Sequence, residues 1–171
     1  RRVRSVKFFW SHSNGIIIDL LIPLESIKEY GLLKGIYLTL LRLKKCHPLG
    51  ESGYDPVKKE IMFKKVELLK SKTPIDYEIA SRFMEKRSSL IHSGEANELV
   101  WLLEHPSVYT AGSSAKDNEL LDTKDIPVYK TPRGGKYTYH GPGQRIIYLM
   151  LNLERSNKDI RKFIMILERI I

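Results

Sequence analysis

The side chains with most chemistry to offer stand between Arg133 and Gln144, in the run RGGKYTYHGPGQ. Arg133 brings a planar fork of five donors, Lys136 an ammonium, and Tyr137, Thr138, Tyr139 and His140 add hydroxyl and imidazole groups that both give and accept hydrogen bonds. Gly134 and Gly135 let the backbone take positive φ and come close to a bound group, because no Cβ stands in the way. Gly141-Pro142-Gly143 is a rigid turn that sets where His140 points. The spacing excludes a phosphate-cradling loop of the G-x-x-x-x-G-K-[ST] kind and a G-x-G-x-x-G dinucleotide fingerprint. What remains is either a hairpin with two tight turns or a polar, glycine-rich loop that hangs a substrate site on a rigid scaffold.

The scaffold is legible around it. Arg145 to Leu153, RIIYLMLNL, reads as a buried strand, and Ile126 to Thr131, IPVYKT, as a strand leading into the loop. Glu98 to Glu104, ELVWLLE, reads as a buried strand that His105-Pro106 ends, with a short strand at Ser107 to Thr110 before Ala111-Gly112. Ser113 to Asp125 is a polar loop near a site entrance. Upstream, MFKKVELL from Met62 reads as a strand. Thr73-Pro74 predicts a helix start, a capping hydroxyl followed by proline at the first helical position, and Gly94 its end. Ile79, Ala80, Phe83, Met84, Leu90 and Ile91 recur at helical spacing and are expected in the core. His105 stands alone, with no second ligand at useful spacing, and is expected to be a structural hydrogen-bonding residue rather than a metal ligand. After the last strand, Ser156 and Asp159 resemble a capping box for a helix whose apolar face is Ile160, Phe163, Ile164, Leu167 and Ile171. No cap or turn follows that helix, so a longer domain is expected.

Composition bounds the rest. In 171 residues, 42% hydrophobic side chains are compatible with a globular core rather than disorder. The formal net charge of +9 favours anionic partners, without choosing among nucleic acid, lipid headgroups and acidic protein. Cys46 is the single cysteine, so no internal disulfide forms and a reducing, cytoplasmic compartment is the simple expectation. No apolar run is long enough to span a bilayer, and no small-residue cleavage site follows the basic start. Ile16 to Leu24 is apolar apart from Asp19 and could form a short buried element.

The run RGGKYTYHGPGQ resembles the signature of lipoyl(octanoyl) transferases, and LLEHPSVYTAG at Leu102 to Gly112 resembles a second piece of the same family at a suitable distance upstream. The resemblance implies an α+β fold, a mixed sheet with packed helices as in the biotin and lipoate protein ligases, of which this chain holds the N-terminal half. It also implies octanoyl-acyl carrier protein as donor, a lipoyl-domain lysine as acceptor, and no metal, cofactor or nucleic acid. In that family the acyl group rides on a cysteine whose thiol is activated by a nearby lysine. Both lie downstream of the residues present, and neither Cys46 nor Lys136 matches them, so no catalytic nucleophile is assigned. Carried over residue by residue, Arg133, Gly134 and Gly135 would form a wall of the acyl pocket. Lys136 and Tyr137 would continue that substrate-binding run, and Thr138, Tyr139 and His140 would line its reacting end. Missing partner strands are expected to leave a sheet edge exposed.

Glu25 to Val57 resembles a different family, the YidD membrane-protein insertion efficiency factors, through the helix around GLLKG and the run KKCHPLGESGYDPV. Leu32, Leu33, Ile36, Tyr37, Leu40 and Leu43 recur at helical spacing beside Lys34, Arg42, Lys44 and Lys45. Such a basic amphipathic helix fits an anionic membrane surface, or else packs on a core with its charged face in water. Where the family carries a C-S-E-Y-like motif this chain has DLLIPL, and the residues before it are unmatched. The expected organisation is a YidD-like segment and junction over 1–61 and a truncated octanoyltransferase domain over 62–171, read as an octanoyltransferase by family that is inactive in these residues as they stand, a membrane-associated module or a non-functional two-gene read-through.

Overall fold

A computed structural model describes residues 66–123, 125–152 and 165, together with the backbone of residues 5–10 and 16–23. The expected helices at 25–57 and from Ser156 onward therefore lie outside the described residues, Met165 apart.

Eight strands and one helix are described: β1 Ser5–Trp10, β2 Ile16–Pro23, β3 Glu67–Lys70, α1 Tyr77–Ser93, β4 Leu99–Leu103, β5 Val108–Ala111, β6 Val128–Lys130, β7 Tyr137–His140 and β8 Gln144–Leu151. The strands form two sheets, ordered β1-β2-β8-β4-β3 and β6-β5-β7. The class is α+β, as expected, but the mixed sheet is divided in two. β3 runs parallel to β4 across the helix that connects them, whereas β8 is antiparallel to both β4 and β2.

The continuous apolar runs of β4 and β8 follow from their place in the middle of a sheet covered on both faces, where alternation with polar residues would bury charge. All five residues of β4 and the last six of β8 are buried. Leu99, Trp101, Leu103, Ile146, Tyr148 and Met150 share one face and pack with Ala80, Met84 and Ile91 of α1. Of the six helical positions expected in the core, those three arrive there and the others do not: Ile79 is 64% exposed, Phe83 38%, and Leu90 half-buried. The buried stripe runs Tyr77, Ala80, Met84, Ser88 and Ile91, and at about 100° per residue positions 79 and 83 fall beside it. Phe83 still meets Trp101 edge-on, with ring centres 4.7 Å apart.

The helix begins at Tyr77 rather than behind Thr73. Asp76 supplies the cap, its carboxylate accepting from Glu78 N at 2.8 Å and Ile79 N at 3.3 Å. Ile75 N meanwhile bonds Glu104 O at 2.8 Å, which keeps the chain before the cap attached to the end of β4. Gly94 closes the helix at φ 83°, as its sequence position predicts. Arg87 ties α1 to the sheet, pairing with Glu67 at 2.5 Å and donating to Asn97 O at 2.8 Å.

Among the described strands the sheet edges fall at β1 and β3 and not at β8. β2 pairs with β8 along its whole length, Ile16 opposite Leu151 through Pro23 opposite Gln144, and β1 covers β2 in turn. The apolar element expected there is thus a strand over Ile16–Pro23, and it joins the same sheet as residues 144–151.

Candidate active site

β7 carries the residues with most chemistry, and its register against β5 determines which way they face. The strands are antiparallel, with Val108 opposite His140, Tyr109 opposite Tyr139, Thr110 opposite Thr138 and Ala111 opposite Tyr137. Alternation along β7 buries Thr138 and His140 and turns Tyr137 and Tyr139 outward. Tyr139 meets Tyr109 across the pair, ring centres 5.4 Å apart, and its hydroxyl reaches Ser107 Oγ at 2.9 Å.

Arg133 is the clamp of this strand pair. It is 1% exposed, and its Nη2 donates to Thr110 O at 2.6 Å, Thr110 Oγ1 at 2.8 Å and Thr138 Oγ1 at 2.9 Å. Its Nη1 donates to Gly134 O at 3.0 Å. The rigid planar fork suits such a cluster of acceptors better than a flexible ammonium would. The guanidinium therefore spends these donors on the protein, joining β5, β7 and the glycine pair.

The loop lies so close to the end of β5 that only glycine fits at position 112. A Cβ there would collide with Gly135 O and stand 2.8 Å from both Gly134 O and Arg133 Nη1. Backbone bonds complete the contact: Ser113 N donates to Arg133 O at 2.8 Å, and Ser114 N to Gly135 O at 3.1 Å. Gly135 takes φ +86°, whereas Gly134 has open space around its Cβ position. Lys136 reaches back over the surface to pair with Glu119, on the short 3-10 turn Asp117–Glu119. That hydrogen bond to Lys136 is the main cause that holds the Glu119 carboxyl below its ordinary value.

Beneath β7 the rings of Tyr77, His105, His140 and Tyr148 gather. Tyr77 lies 5.3 Å from His105 and 6.4 Å from His140, and the two imidazoles are 6.0 Å apart. His105 is fully buried, with Nδ1 2.5 Å from Ile75 O and Nε2 2.9 Å from Tyr148 Oη. A carbonyl can only accept, so Nδ1 carries the proton. Burial pushes the pKa of this ring below 6.5, with the Ile75 carbonyl and Asp76 opposing, which leaves Nε2 to accept from the tyrosine. The expected structural role of His105 is what these contacts describe.

The Gly141-Pro142-Gly143 turn carries the chain from the small sheet into β8. Gln144 N bonds Gly141 O at 3.1 Å, and Gly143 takes φ +84°. Glu104, at the end of β4, anchors the turn by accepting from Gly143 N at 3.2 Å, with Arg145 3.5 Å away on its other oxygen.

Of the residues singled out from sequence, Gly134, Gly135, Lys136 and Tyr139 are exposed, Tyr137 half-buried, and Arg133, Thr138 and His140 buried. The structure adds Gly112, Thr110 and Glu104, all of which hold the loop. Gly112 and Thr110 sit inside LLEHPSVYTAG and Glu104 within it as well. No local pattern separates them from ordinary strand and turn residues.

Residues 76–171 match the profile of the lipoyl protein ligase A/B catalytic domain, and residues 23–58 that of YidD, a membrane protein insertion efficiency factor. The octanoyltransferase of Maricaulis maris is 62% identical over 92 residues, 54% of this chain and 41% of the relative. That of Parvibaculum lavamentivorans is 56% identical over 99 residues, 58% of this chain and 44% of the relative. That of a Wolbachia strain from Brugia malayi is 59% identical over 100 residues, 58% of this chain and 48% of the relative. The chain thus spans somewhat under half the length of these relatives.

Proposed function

The chain belongs to the lipoyl protein ligase A/B catalytic domain family, and we propose on that footing that it carries the acyl-binding part of an octanoyltransferase. The proposed donor is octanoyl-acyl carrier protein, whose acidic surface suits a chain of net charge +9. The proposed acceptor is the lysine of a lipoyl domain, and the proposed compartment is the cytoplasm.

The observation that supports this best is the clamped loop. Arg133 donates to Gly134 O, to Thr110 O on β5 and to buried Thr138 on β7, with His140 buried further along the same strand. A backbone ledge without side chains, held rigid, lets an alkyl chain lie close without ordering cost. Thr138, Tyr139 and His140 are the polar groups proposed to face the thioester end, with Arg133 positioning them. Lys136 and Tyr137 are proposed to border the same pocket.

Binding is proposed without turnover for these 171 residues. Acyl transfer by this route needs a thiolate, and the one cysteine, Cys46, lies outside the residues 76–171 that match the catalytic domain. The test incubates the chain with octanoyl-acyl carrier protein and an apo lipoyl domain, and follows binding by fluorescence anisotropy and acylation by mass spectrometry. Carrier binding that weakens in Gly112→Ala, with no acyl adduct on Cys46, is the expected result. Transfer that depends on Cys46 would overturn the proposal, and so would carrier binding no tighter with the octanoyl group than without it.

A second reading attaches to residues 23–58 because of their match to YidD. Their basic amphipathic pattern would hold the chain on an anionic membrane surface as an aid to membrane protein insertion. Co-sedimentation with phosphatidylglycerol vesicles that is lost at high salt is the expected result, and equal sedimentation with neutral vesicles would reject it.

A further inference from the structure

Thr110 did not stand out in the sequence, and the acyl-transfer reading gives it no part. It lies on β5 with 1% exposure, and its hydroxyl meets Arg133 Nη2 at 2.8 Å and His140 Nε2 at 3.3 Å. A guanidinium can only donate, so toward Arg133 the Thr110 oxygen accepts. The hydroxyl proton of a buried threonine needs an acceptor of its own. Among the described residues the acceptor within its reach is the imidazole nitrogen. The proton thus points at Nε2, which must present its lone pair, and a neutral ring then carries its hydrogen on Nδ1.

We propose that Thr110 is a positioning residue for His140: oriented by Arg133, it holds the ring in the Nδ1–H form and occupies the basic nitrogen. Two conditions are met in the fold. Thr110 faces the same side of the β5–β7 pair as His140, and the Arg133 bonds to Thr110 O and Oγ1 fix both backbone and hydroxyl. The chemical consequence, which rests on the acyl-transfer reading, is that His140 meets an acyl group as a hydrogen-bond donor and not as a base through Nε2. Donation is what an acyl oxygen gathering negative charge requires. The assignment of the proton does not depend on that reading.

His105 provides an internal comparison, since its Nδ1 faces the Ile75 carbonyl and it too must carry the proton there. The test is a long-range nitrogen–proton correlation spectrum of the nitrogen-15-labelled 171-residue chain at pH 8. The signals of the five histidines would be assigned with His140→Gln and His105→Gln. His140 is expected in the Nδ1–H form in the unaltered chain and in Thr110→Ser. In Thr110→Val the Nε2–H form is expected to rise to half the population or more, while the His105 signal stays put as a report that the fold is intact. An Nε2–H ring in the unaltered chain, or an unchanged His140 signal in folded Thr110→Val, would overturn the proposal. Should Thr110→Val not fold, the hydroxyl proton of the unaltered chain decides. A slowly exchanging Thr110 resonance with a cross-peak to the His140 ring is expected, and a fast-exchanging hydroxyl refutes it. Carrier binding is scored separately, so a correct tautomer without octanoyl binding sinks only the functional reading.

Discussion

Arg133 is the side chain whose removal should cost this structure most per atom. Its guanidinium serves at least four acceptors among the described residues: Thr110 O, Thr110 Oγ1, Thr138 Oγ1 and Gly134 O. Replacement by methionine keeps most of the volume and removes every donor. A buried acceptor left without a partner costs about 1–3 kcal/mol. The Thr110 hydroxyl keeps His140 Nε2 as a partner, so its share of the loss is the smaller. The two carbonyls cannot turn, and they set the floor. Arg133→Met is therefore expected to lose about 3–5 kcal/mol, a large fraction of a typical domain's stability. Arg133→Lys keeps the charge but not the planar fork, and is expected to lose about 2–3 kcal/mol. Urea unfolding followed by the fluorescence of buried Trp101 measures both, and near-ultraviolet circular dichroism reports Tyr137 and Tyr139 on the loop. If Arg133→Met stays within about 1 kcal/mol of the original chain, the clamp is not what holds the loop. If lysine matches arginine, charge matters and geometry does not.

Three further outcomes follow from the same structure. Gly112→Ala is expected to cost about 3 kcal/mol, because two of the atoms it strikes are backbone oxygens, whereas Gly134→Ala meets open space and should be neutral; equal urea midpoints would contradict this. Acidification should destabilise the fold through His105. Below the ordinary imidazole value of 6.5 the unfolded chain takes up a proton that the buried ring refuses, so this contribution is complete above 6.5 and is lost as pH falls toward the lowered folded value. The slope is at most about 1.4 kcal/mol per pH unit, and a His105→Gln variant with an undiminished slope would assign it elsewhere. Deleting residues 1–23 should uncover β8 and produce concentration-dependent association in size-exclusion chromatography, and a monodisperse truncated chain would show that the β2–β8 pairing is dispensable.

Much of the organisation was written locally. Continuous apolar runs announced β4 and β8, because a strand buried on both faces needs no polar alternation. Gly94 announced the end of α1, because a left-handed residue is cheapest without a Cβ. The glycine-rich run and its histidine could be picked out by residue type alone, and their resemblance to a family needed no coordinates. Other features depended on partners distant in sequence. Thr73-Pro74 had the form of a cap, yet Asp76 took the role, since Ile75 was held at Glu104, just past the end of β4. Ile79 and Phe83 fitted the helical period but not the stripe, because the sheet that α1 covers decides which side of a helix is inside. That residues 16–23 pair with β8, that Arg133 turns inward, and that Thr110 rather than a neighbour in the chain holds His140 all follow from contacts between strands. Residue types and short spacings determined which groups this protein has and where its chain turns. Only the packing of β5 against β7 decided which of those groups face one another, because a strand's inward side is set by its neighbour's register and not by its own sequence.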